Sequence, residues 1–291
     1  TDGTIGASVG TERRRSALET TRRELLHKTA LAAAAVGMGW RAFGGPVARA
    51  ATVGYGPLGG ADANGVRLPE GFTARLLAKT GQPVADTGYI WHGEPDGAAT
   101  FATSDGGWVL VSNSELNGTS GGVSSISFGP DGRTAAAYRI LAGTKWNCAG
   151  GATPWGTWLS CEEFRNGLVW ECDPFEPSQG VARRALGVRM HEAAPVDPLT
   201  GFVYLTEDDY DGRLYRFRPA RYGDLTAGAL EAASVDSDGA VTWIAVSPTK
   251  PYRGRDTTAF DRGEGAWISH NVLYFSTTSN DRVWALELGT M

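Results

Sequence analysis

A repeat of about 47 residues restricts the fold of this sequence more than any other feature. Four segments each carry an apolar strand, a polar or acidic loop and a second strand. Each segment has a hydroxyl residue at the same place, and of the three intervals between these residues two are similar and the third is longer. The two similar intervals match the length of a propeller blade, and the third predicts an insertion between Leu230 and Thr258. The pattern predicts an all-β chain folded as a β-propeller. The aligned residues are Ser112, Ser160, Thr206 and Ser276.

The number of repeats indicates a partial propeller. About four blades are visible, and a closed propeller usually has more, so we expect the ring to be incomplete at the C-terminus. A β-sandwich is the alternative architecture, but this period argues against it. The 40 glycines among 291 residues and turn sequences such as Pro130–Gly132 agree with many short strands. We expect residues 51–291 to form one propeller domain.

The first fifty residues have the order of an export signal. Arg22-Arg23 precedes two leucines, an apolar stretch runs from Thr29 to Trp40, and Ala48-Arg49-Ala50 follows as a cleavage site. Paired arginines in this context are typical of the bacterial twin-arginine pathway. We therefore predict that residues 1–50 are a leader, that the twin-arginine export machinery is a partner, and that the protein is periplasmic, secreted or on the cell surface.

The charge balance and hydropathy argue against a nucleic-acid-binding protein and against an integral membrane protein. The chain has 27 Lys and Arg against 32 Asp and Glu, a net charge of −5, so we expect no nucleic-acid partner. No apolar run is as long as a membrane-spanning helix requires, so we expect no integral membrane span. An acidic exported chain favours an oxygen-ligated metal. We expect a monomer.

Acidic and thiol residues occupy matching positions of the repeat. Cys148 and Glu264 lie at the same distance before their aligned hydroxyl residues, and Glu192 lies only slightly further from its own. Such positions on the first strand of each blade converge on a propeller axis. Carboxylates gathered on one axis repel one another, so a multivalent cation is the predicted resolution. A second ring is expected from the strand ends at Glu115, Glu162, Glu163, Glu207 and Asp208.

Several motifs resemble those of PhoX-type alkaline phosphatases. The longest runs from Asn147-Cys148-Ala149-Gly150-Gly151 through Thr157-Trp158-Leu159-Ser160-Cys161-Glu162-Glu163. The resemblance extends from about Trp108 to Leu288. The others are His191-Glu192-Ala193-Ala194, Tyr204-Leu205-Thr206-Glu207-Asp208 and Arg262-Gly263-Glu264-Gly265.

The resemblance implies an exported propeller that carries iron and calcium on its axis and hydrolyses a phosphomonoester substrate. It implies a catalytic site with Cys148 as an iron ligand, Arg262 as the phosphate-binding arginine and Glu264 beside them. The choice between Glu162 and Glu163, and between Glu192 and Glu207, is left open for each role. The full expected metal set is Cys148, Glu162, Glu163, Glu192, Glu207, Asp208 and Glu264.

The residue chemistry agrees with this implication, and two alternatives remain. A thiolate suits a transition metal, whereas carboxylates suit calcium, so one cysteine among acids indicates a mixed-metal site. The alternatives are a calcium-dependent propeller hydrolase of lactones or esters, which would need no cysteine ligand, and a non-catalytic binding propeller. Cys161 and Cys172 are left either as a disulfide or as buried thiols.

Overall fold

The computed structural model describes residues 15–21 and 54–289 of the chain. Within these ranges it contains 18 β-strands and a three-residue 3₁₀ helix, Arg184–Leu186. No helix among these residues is long and apolar enough to cross a membrane. The all-β prediction is confirmed. The strands are β1 (Arg15–Thr21), β2 (Leu58–Ala61), β3 (Arg67–Pro69), β4 (Pro95–Ala102), β5 (Trp108–Ser114), β6 (Gly121–Phe128), β7 (Thr134–Thr144), β8 (Asn147–Ala152), β9 (Trp158–Glu162), β10 (Val169–Cys172), β11 (Val181–Ala182), β12 (Val203–Leu205), β13 (Tyr215–Pro219), β14 (Gly228–Val235), β15 (Ala240–Ala245), β16 (Gly263–Ser269), β17 (Val272–Thr277) and β18 (Arg282–Glu287).

The strands form antiparallel meanders that correspond to four propeller blades. Blade 1 is β4-β5-β6-β7 and blade 2 is β8-β9-β10-β11. Blade 3 contains β12-β13-β14-β15, and blade 4 contains β16-β17-β18. Strand β1 lies between β15 and β18 and joins blades 3 and 4 into one eight-stranded ladder. The propeller prediction is confirmed.

The repeat found in the sequence coincides with the second and third strands of every blade. These strand pairs are β5/β6, β9/β10, β12/β13 and β17/β18. In blade 3, residues 190–196 take the place of a first strand through isolated bridges from His191 to Glu207 and from Val196 to Val203. The predicted insertion begins within β14, which corresponds to the fourth strands of blades 1 and 2, and it contains the additional strand β15 and the segment after it.

Residues 15–21 of the predicted leader form strand β1. Ala17–Thr21 of β1 pairs with Arg282–Leu286 of β18. The paired arginines and the proposed cleavage site lie outside the described residues. The export signal therefore stays a prediction.

Apolar clusters between neighbouring blades hold the blades together. Strand β17 alternates half-buried and buried side chains along its length, the period-two pattern of a strand with one face in a core. Burying one large apolar side chain contributes about 1.5–3 kcal/mol. These clusters set the angle between blades and hold the first strands around the axis. Val111, Val123 and Trp158 join blades 1 and 2, Leu159, Leu205 and Phe217 join blades 2 and 3, and Tyr204, Leu214 and Phe275 join blades 3 and 4.

The two remaining cysteines are free thiols in separate parts of the core. Cys161 pairs with Val169 at one end of the β9–β10 hairpin, and Cys172 pairs with Trp158 at the other end. They belong to different apolar clusters. The disulfide alternative is therefore excluded by the fold.

Candidate metal centre

The first strands of blades 1, 2 and 4 carry the same β-bulge, and the segment that takes the place of a first strand in blade 3 has the same offset. In blade 2, Asn147 pairs with Glu162 and Gly150 pairs with Ser160, so β8 has one residue more than β9 between these pairs. A bulge redirects a side chain out of the regular alternation of a strand. The equivalent bulges lie between Pro95 and Ala98 in blade 1 and between Gly263 and Ala266 in blade 4, and the bridges of His191 and Val196 have the same offset in blade 3.

A left-handed residue precedes the bulge in three of the blades. Glu94, Trp146 and Arg262 have φ values of 44°, 47° and 55°. This conformation is unfavourable for residues with a side chain, and such strain concentrates at functional sites. In all four blades the carbonyl at this position accepts a hydrogen bond from the end of the second strand. The pairs are Glu115 N to Glu94 O, Glu163 N to Trp146 O, Asp208 N to Met190 O and Thr278 N to Arg262 O.

These equivalences define two rings of side chains. The inner ring contains the residue two positions after each of those carbonyls, and the outer ring contains the donor residue itself. The repeat in the sequence predicted three members of the inner ring but not Asp96. The inner ring is Asp96, Cys148, Glu192 and Glu264, and the outer ring is Glu115, Glu163, Asp208 and Thr278.

Cys148 belongs to two groups of potential metal ligands. Its Sγ and one carboxylate oxygen each from Asp96 and Glu115 lie within 4.8 Å of one another. The same holds for Cys148 with Glu163 and Glu192. The thiol also donates a hydrogen bond to Asp96 Oδ2 at 3.4 Å. The geometry therefore allows cations on two sides of one cysteine.

The electrostatics of the rings favour bound positive charge. Burial raises the pKa of the Cys148 thiol, and the charge of Glu192 raises it further. Burial also raises the pKa of Glu192 to about 8, with the charges of Glu163, Glu264 and Asp208 adding to the effect against an opposing hydrogen bond from Cys148. The pKa of Glu163 rises to about 8, first by burial and then through its hydrogen bond with Asp208. A cation would relieve each of these costs.

One oxygen of Glu192 provides a direct test of whether a cation fits. Glu192 is 6% exposed, and its Oε2 has no hydrogen-bond partner among the described residues. Leaving a buried acceptor unsatisfied costs about 1–3 kcal/mol, and more when it is charged. A cation held with Cys148 and Glu163 would satisfy this oxygen. The donor set of one sulfur with several carboxylates fits a transition metal beside a hard cation.

Two predicted ligands, Glu162 and Glu207, lie outside the rings. Glu162 Oε2 accepts hydrogen bonds from Leu168 N at 3.1 Å and Trp170 Nε1 at 2.9 Å. Its Oε1 accepts one from Lys145 N at 3.2 Å. These donors occupy both oxygens, so the carboxylate of Glu162 is already satisfied by the protein.

Glu207 is the corresponding residue of blade 3 and is completely buried. Both of its oxygens accept hydrogen bonds from the Arg253 guanidinium at 2.9 Å. Tyr215 Oη and the backbone N–H of Arg213 also donate to Oε2. Glu207 therefore ties the segment after β15 to blade 3, and the protein already satisfies both of its oxygens.

Arg262 lies at the blade 4 side of the rings. Its Nε donates to Asp208 Oδ1 at 2.8 Å, and its Nη2 donates to Asp208 Oδ2 at 2.9 Å. The Nη2 atom is also 3.5 Å from Glu264 Oε1, which accepts a hydrogen bond from Thr278 Oγ1. The hydrogen bonds to Asp208 raise the pKa of Arg262 above its already high ordinary value. The centre thus has an acidic side and a side that carries a permanent positive charge.

Asn113 and Gly97, which the sequence did not single out, hold the bulge at Cys148 in place. Asn113 Nδ2 donates to the carbonyls of Cys148 and Ala149 at 2.7 and 2.8 Å. Its Oδ1 accepts from Trp158 Nε1 and Ser160 Oγ. A Cβ on Gly97 would lie 2.7 Å from Ala149 Cα, so only glycine lets the first strands of blades 1 and 2 approach this closely.

A family comparison decides the classification of the chain. The model of the alkaline phosphatase PhoX family matches residues 103–169 and 164–287, which together make up more than half of the sequence. This chain belongs to the PhoX alkaline phosphatase family. The matched region contains Cys148, Glu163, Glu192 and Glu264, whereas Asp96 precedes it.

The comparison with solved structures supports the PhoX fold. Pseudomonas fluorescens PhoX in complex with vanadate, a transition state analogue, is similar with a TM-score of 0.59 and 20% identity over 72% of this chain. The aligned chain spans 65% of that protein. A glucose dehydrogenase (TM-score 0.31, 11% identity, 72% of this chain and 86% of that one) and the gluconolactonase XC5397 from Xanthomonas campestris (0.29, 12%, 67% and 86%) are more distant. No curated protein sequence matches the chain.

Proposed function

We propose that this chain is a metal-dependent phosphoric monoester hydrolase of the PhoX type. The observation that carries the proposal is the gathering of Asp96, Glu115, Glu163 and Glu192 around Cys148, with the buried Oε2 of Glu192 unpartnered among the described residues. Membership of the PhoX family supports the reaction class. The acidic cluster alone would repel a phosphate dianion, so a cation is needed before this substrate can bind.

The donor atoms suggest how an iron and calcium set would be held. Cys148 would hold iron, because a thiolate prefers a transition metal. The carboxylates of Asp96 and Glu115 on one side and of Glu163 and Glu192 on the other would share iron and hold calcium, with Glu264 at the edge. Bound cations would neutralise charge on the phosphate and activate the attacking oxygen. Glu162 and Glu207 are left out of this set, because protein donors occupy their oxygens.

Arg262 would bind the phosphate oxygens. A guanidinium offers two parallel N–H donors, which match the geometry of a phosphate. The Arg262 side chain is 40% exposed, so it is accessible to a ligand. The vanadate in the P. fluorescens PhoX complex is a transition state analogue, and we extend binding of such an oxyanion to the present chain.

The cellular setting in this proposal follows from the leader. Arg22-Arg23 and the apolar stretch after it support twin-arginine export to the periplasm or beyond. The alternative of a lactone or ester hydrolase with a single calcium ion leaves the central position of Cys148 without a role.

Hydrolysis of p-nitrophenyl phosphate by the purified chain tests the function. We expect turnover that is lost after dialysis against a chelator and is restored by adding iron and calcium. Glu287→Gln is the control, because Glu287 is exposed on β18 and lies outside both rings. Turnover that persists in metal-free protein would contradict the metal dependence, and no turnover in metal-loaded protein would contradict the phosphatase assignment.

A further inference from the structure

We propose that Asp208 positions Arg262 for phosphate binding and does not ligate a metal. The inference rests on the proposed function and assigns a different role to one of the predicted metal ligands. Four observations carry it: the edge of the guanidinium that Asp208 occupies, the backbone attachment of Arg262, the asymmetry of the outer ring and the burial of Asp208.

Asp208 occupies one specific edge of the guanidinium. The hydrogen bonds from Nε and Nη2 use the side edge of the group, and both oxygens of Asp208 accept them. Nη1 has no hydrogen bond among the described residues, and beyond Asp208 the Nη2 atom makes only a long contact of 3.5 Å with Glu264 Oε1, so an anion can compete for the end edge formed by Nη1 and Nη2. This end edge can present two parallel N–H groups to phosphate oxygens.

The backbone of Arg262 is attached to the same segment that carries Asp208. Arg262 N donates to Asp209 O, and the next amide, Gly263 N, donates to Glu207 O, both at 3.0 Å. Residues 207–209 therefore hold both the root and the tip of the arginine side chain. Its left-handed φ of 55° shows that the backbone is constrained as well. A long side chain fixed at both ends loses little entropy when it binds a ligand.

The outer ring is asymmetric in a way that separates Asp208 from its equivalents. Glu115 and Glu163 each belong to a three-residue group around Cys148, whereas Asp208 belongs to neither group and only contacts the carboxyl of Glu163 from outside. In blade 4 the equivalent residue is Thr278, which donates to Glu264 and brings no charge. The outer-ring carboxylates thus lie in blades 1 to 3, and Arg262 is the cation on the blade 4 side, where we expect an anion to bind.

The two partners of the Asp208–Arg262 ion pair differ in how far they are buried. Asp208 is 5% exposed, whereas the Arg262 side chain is 40% exposed. The carboxylate acts as a fixed support, and the cation remains open to the ligand. Charge-assisted hydrogen bonds of this kind are roughly twice as strong as neutral ones.

The test measures metal content and the affinity for inorganic phosphate in the metal-loaded chain. We expect Asp208→Asn to keep the wild-type metal content while its phosphate Kd rises about tenfold, because the support of the guanidinium is weakened. Arg262→Ala should raise the Kd about 10- to 100-fold. The double variant should bind phosphate no more weakly than Arg262→Ala, because Asp208 acts on phosphate only through the Arg262 side chain, which is already absent.

A second variant keeps the test decisive if Arg262→Ala is unstable. Arg262→Lys retains the charge but cannot make two parallel hydrogen bonds with Asp208. We expect Asp208→Asn to have no further effect on phosphate affinity in that background. Asp211→Asn is the matched control, since Asp211 pairs with Arg213 at 2.7 Å on the same loop, and it should bind phosphate like the wild type.

Three results would overturn the positioning role. They are loss of metal in Asp208→Asn, unchanged phosphate affinity in that variant, and wild-type protein that binds no phosphate. A wild-type chain that binds phosphate with the expected mutant pattern but does not hydrolyse p-nitrophenyl phosphate would contradict only the proposed function.

Discussion

Glu162 and Glu207 lie at equivalent positions of successive blades, and each accepts a hydrogen bond from the backbone N–H six residues later. The distances are 3.1 Å from Leu168 N to Glu162 Oε2 and 3.1 Å from Arg213 N to Glu207 Oε2. In both blades the carboxylate closes the turn between the second and third strands. The next acid in sequence, Glu163 or Asp208, is then the one that lies in the outer ring.

The structural role of Glu207 predicts an effect on stability without an effect on metal. Arg253→Ala removes both hydrogen bonds from the guanidinium and leaves a buried carboxylate partly unpaired. We expect the free energy of unfolding to fall by about 2 kcal/mol, below the range for fully buried pairs because Arg253 is partly exposed. Urea denaturation measures this loss. A large drop in metal content of the folded variant would show that Glu207 belongs to the metal site.

Glu192 should affect stability and metal binding in opposite directions. Glu192→Gln removes a buried negative charge that other carboxylates repel, so the metal-free protein should gain about 1–2 kcal/mol at pH 8. The same change should weaken metal binding, because the amide is a poorer ligand. Thermal melts with and without metal test both effects. A metal-free variant that melts below the wild type would contradict the repulsion argument.

Cys148 should be required for the transition metal, whereas the other cysteines should not. Cys148→Ala removes the sulfur shared by both ligand groups, so we expect iron content and phosphatase activity to fall together. Cys172→Ala is the matched control, because Cys172 is a free thiol buried in an apolar cluster. It should lower the melting temperature but retain the metal. Elemental analysis of both variants measures the iron content. Iron retained in Cys148→Ala would show that Cys148 is not an iron ligand.

His92 predicts acid sensitivity of blade 1. Its Nδ1 lies 2.8 Å from Ser124 Oγ, and burial together with the charge of Arg139 lowers its pKa from 6.5 to about 4. The unfolded chain therefore takes up this proton between pH 6.5 and pH 4 and the folded chain does not. The free energy of unfolding should fall over that window as the pH is lowered, by up to about 3 kcal/mol from this group.

The comparison of His92→Gln with the wild type isolates this contribution. Carboxylates titrate in both proteins, so only the difference between their pH dependences reports His92. Urea denaturation at pH 7 and pH 4 provides the values. His270→Gln, at an exposed position, is the control. Equal pH dependence in wild type and His92→Gln would contradict the buried neutral histidine.

The propeller could be predicted from the repeat period, because the second and third strands of successive blades recur at a similar spacing in the sequence. It also identified Cys148, Glu192 and Glu264, since one bulge in each first strand gives them equivalent positions. Asp96 was missed although it precedes Ser112 by an interval only slightly longer than those of the other three. The same small-residue context is present in Asp96-Gly97-Ala98-Ala99, so the sequence carries a signal for this position, and only the longer interval to Ser112 sets it apart from the other three.

Sequence alone could not separate the paired acids. Glu162 and Glu163, like Glu207 and Asp208, are adjacent at a strand end, where successive side chains point to opposite sides. Which side faces the axis depends on the register with the first strand and on donors such as Arg253, which lies 46 residues after Glu207. The pairing of Asp208 with Arg262 likewise spans 54 residues and has no local signal.

The most direct test of the central claim is the iron and calcium content of the purified wild-type chain, measured with p-nitrophenyl phosphate turnover on the same sample. We predict that both metals are bound and that turnover rises with metal occupancy. A folded chain that binds neither metal after incubation with both would contradict the metal centre around Cys148.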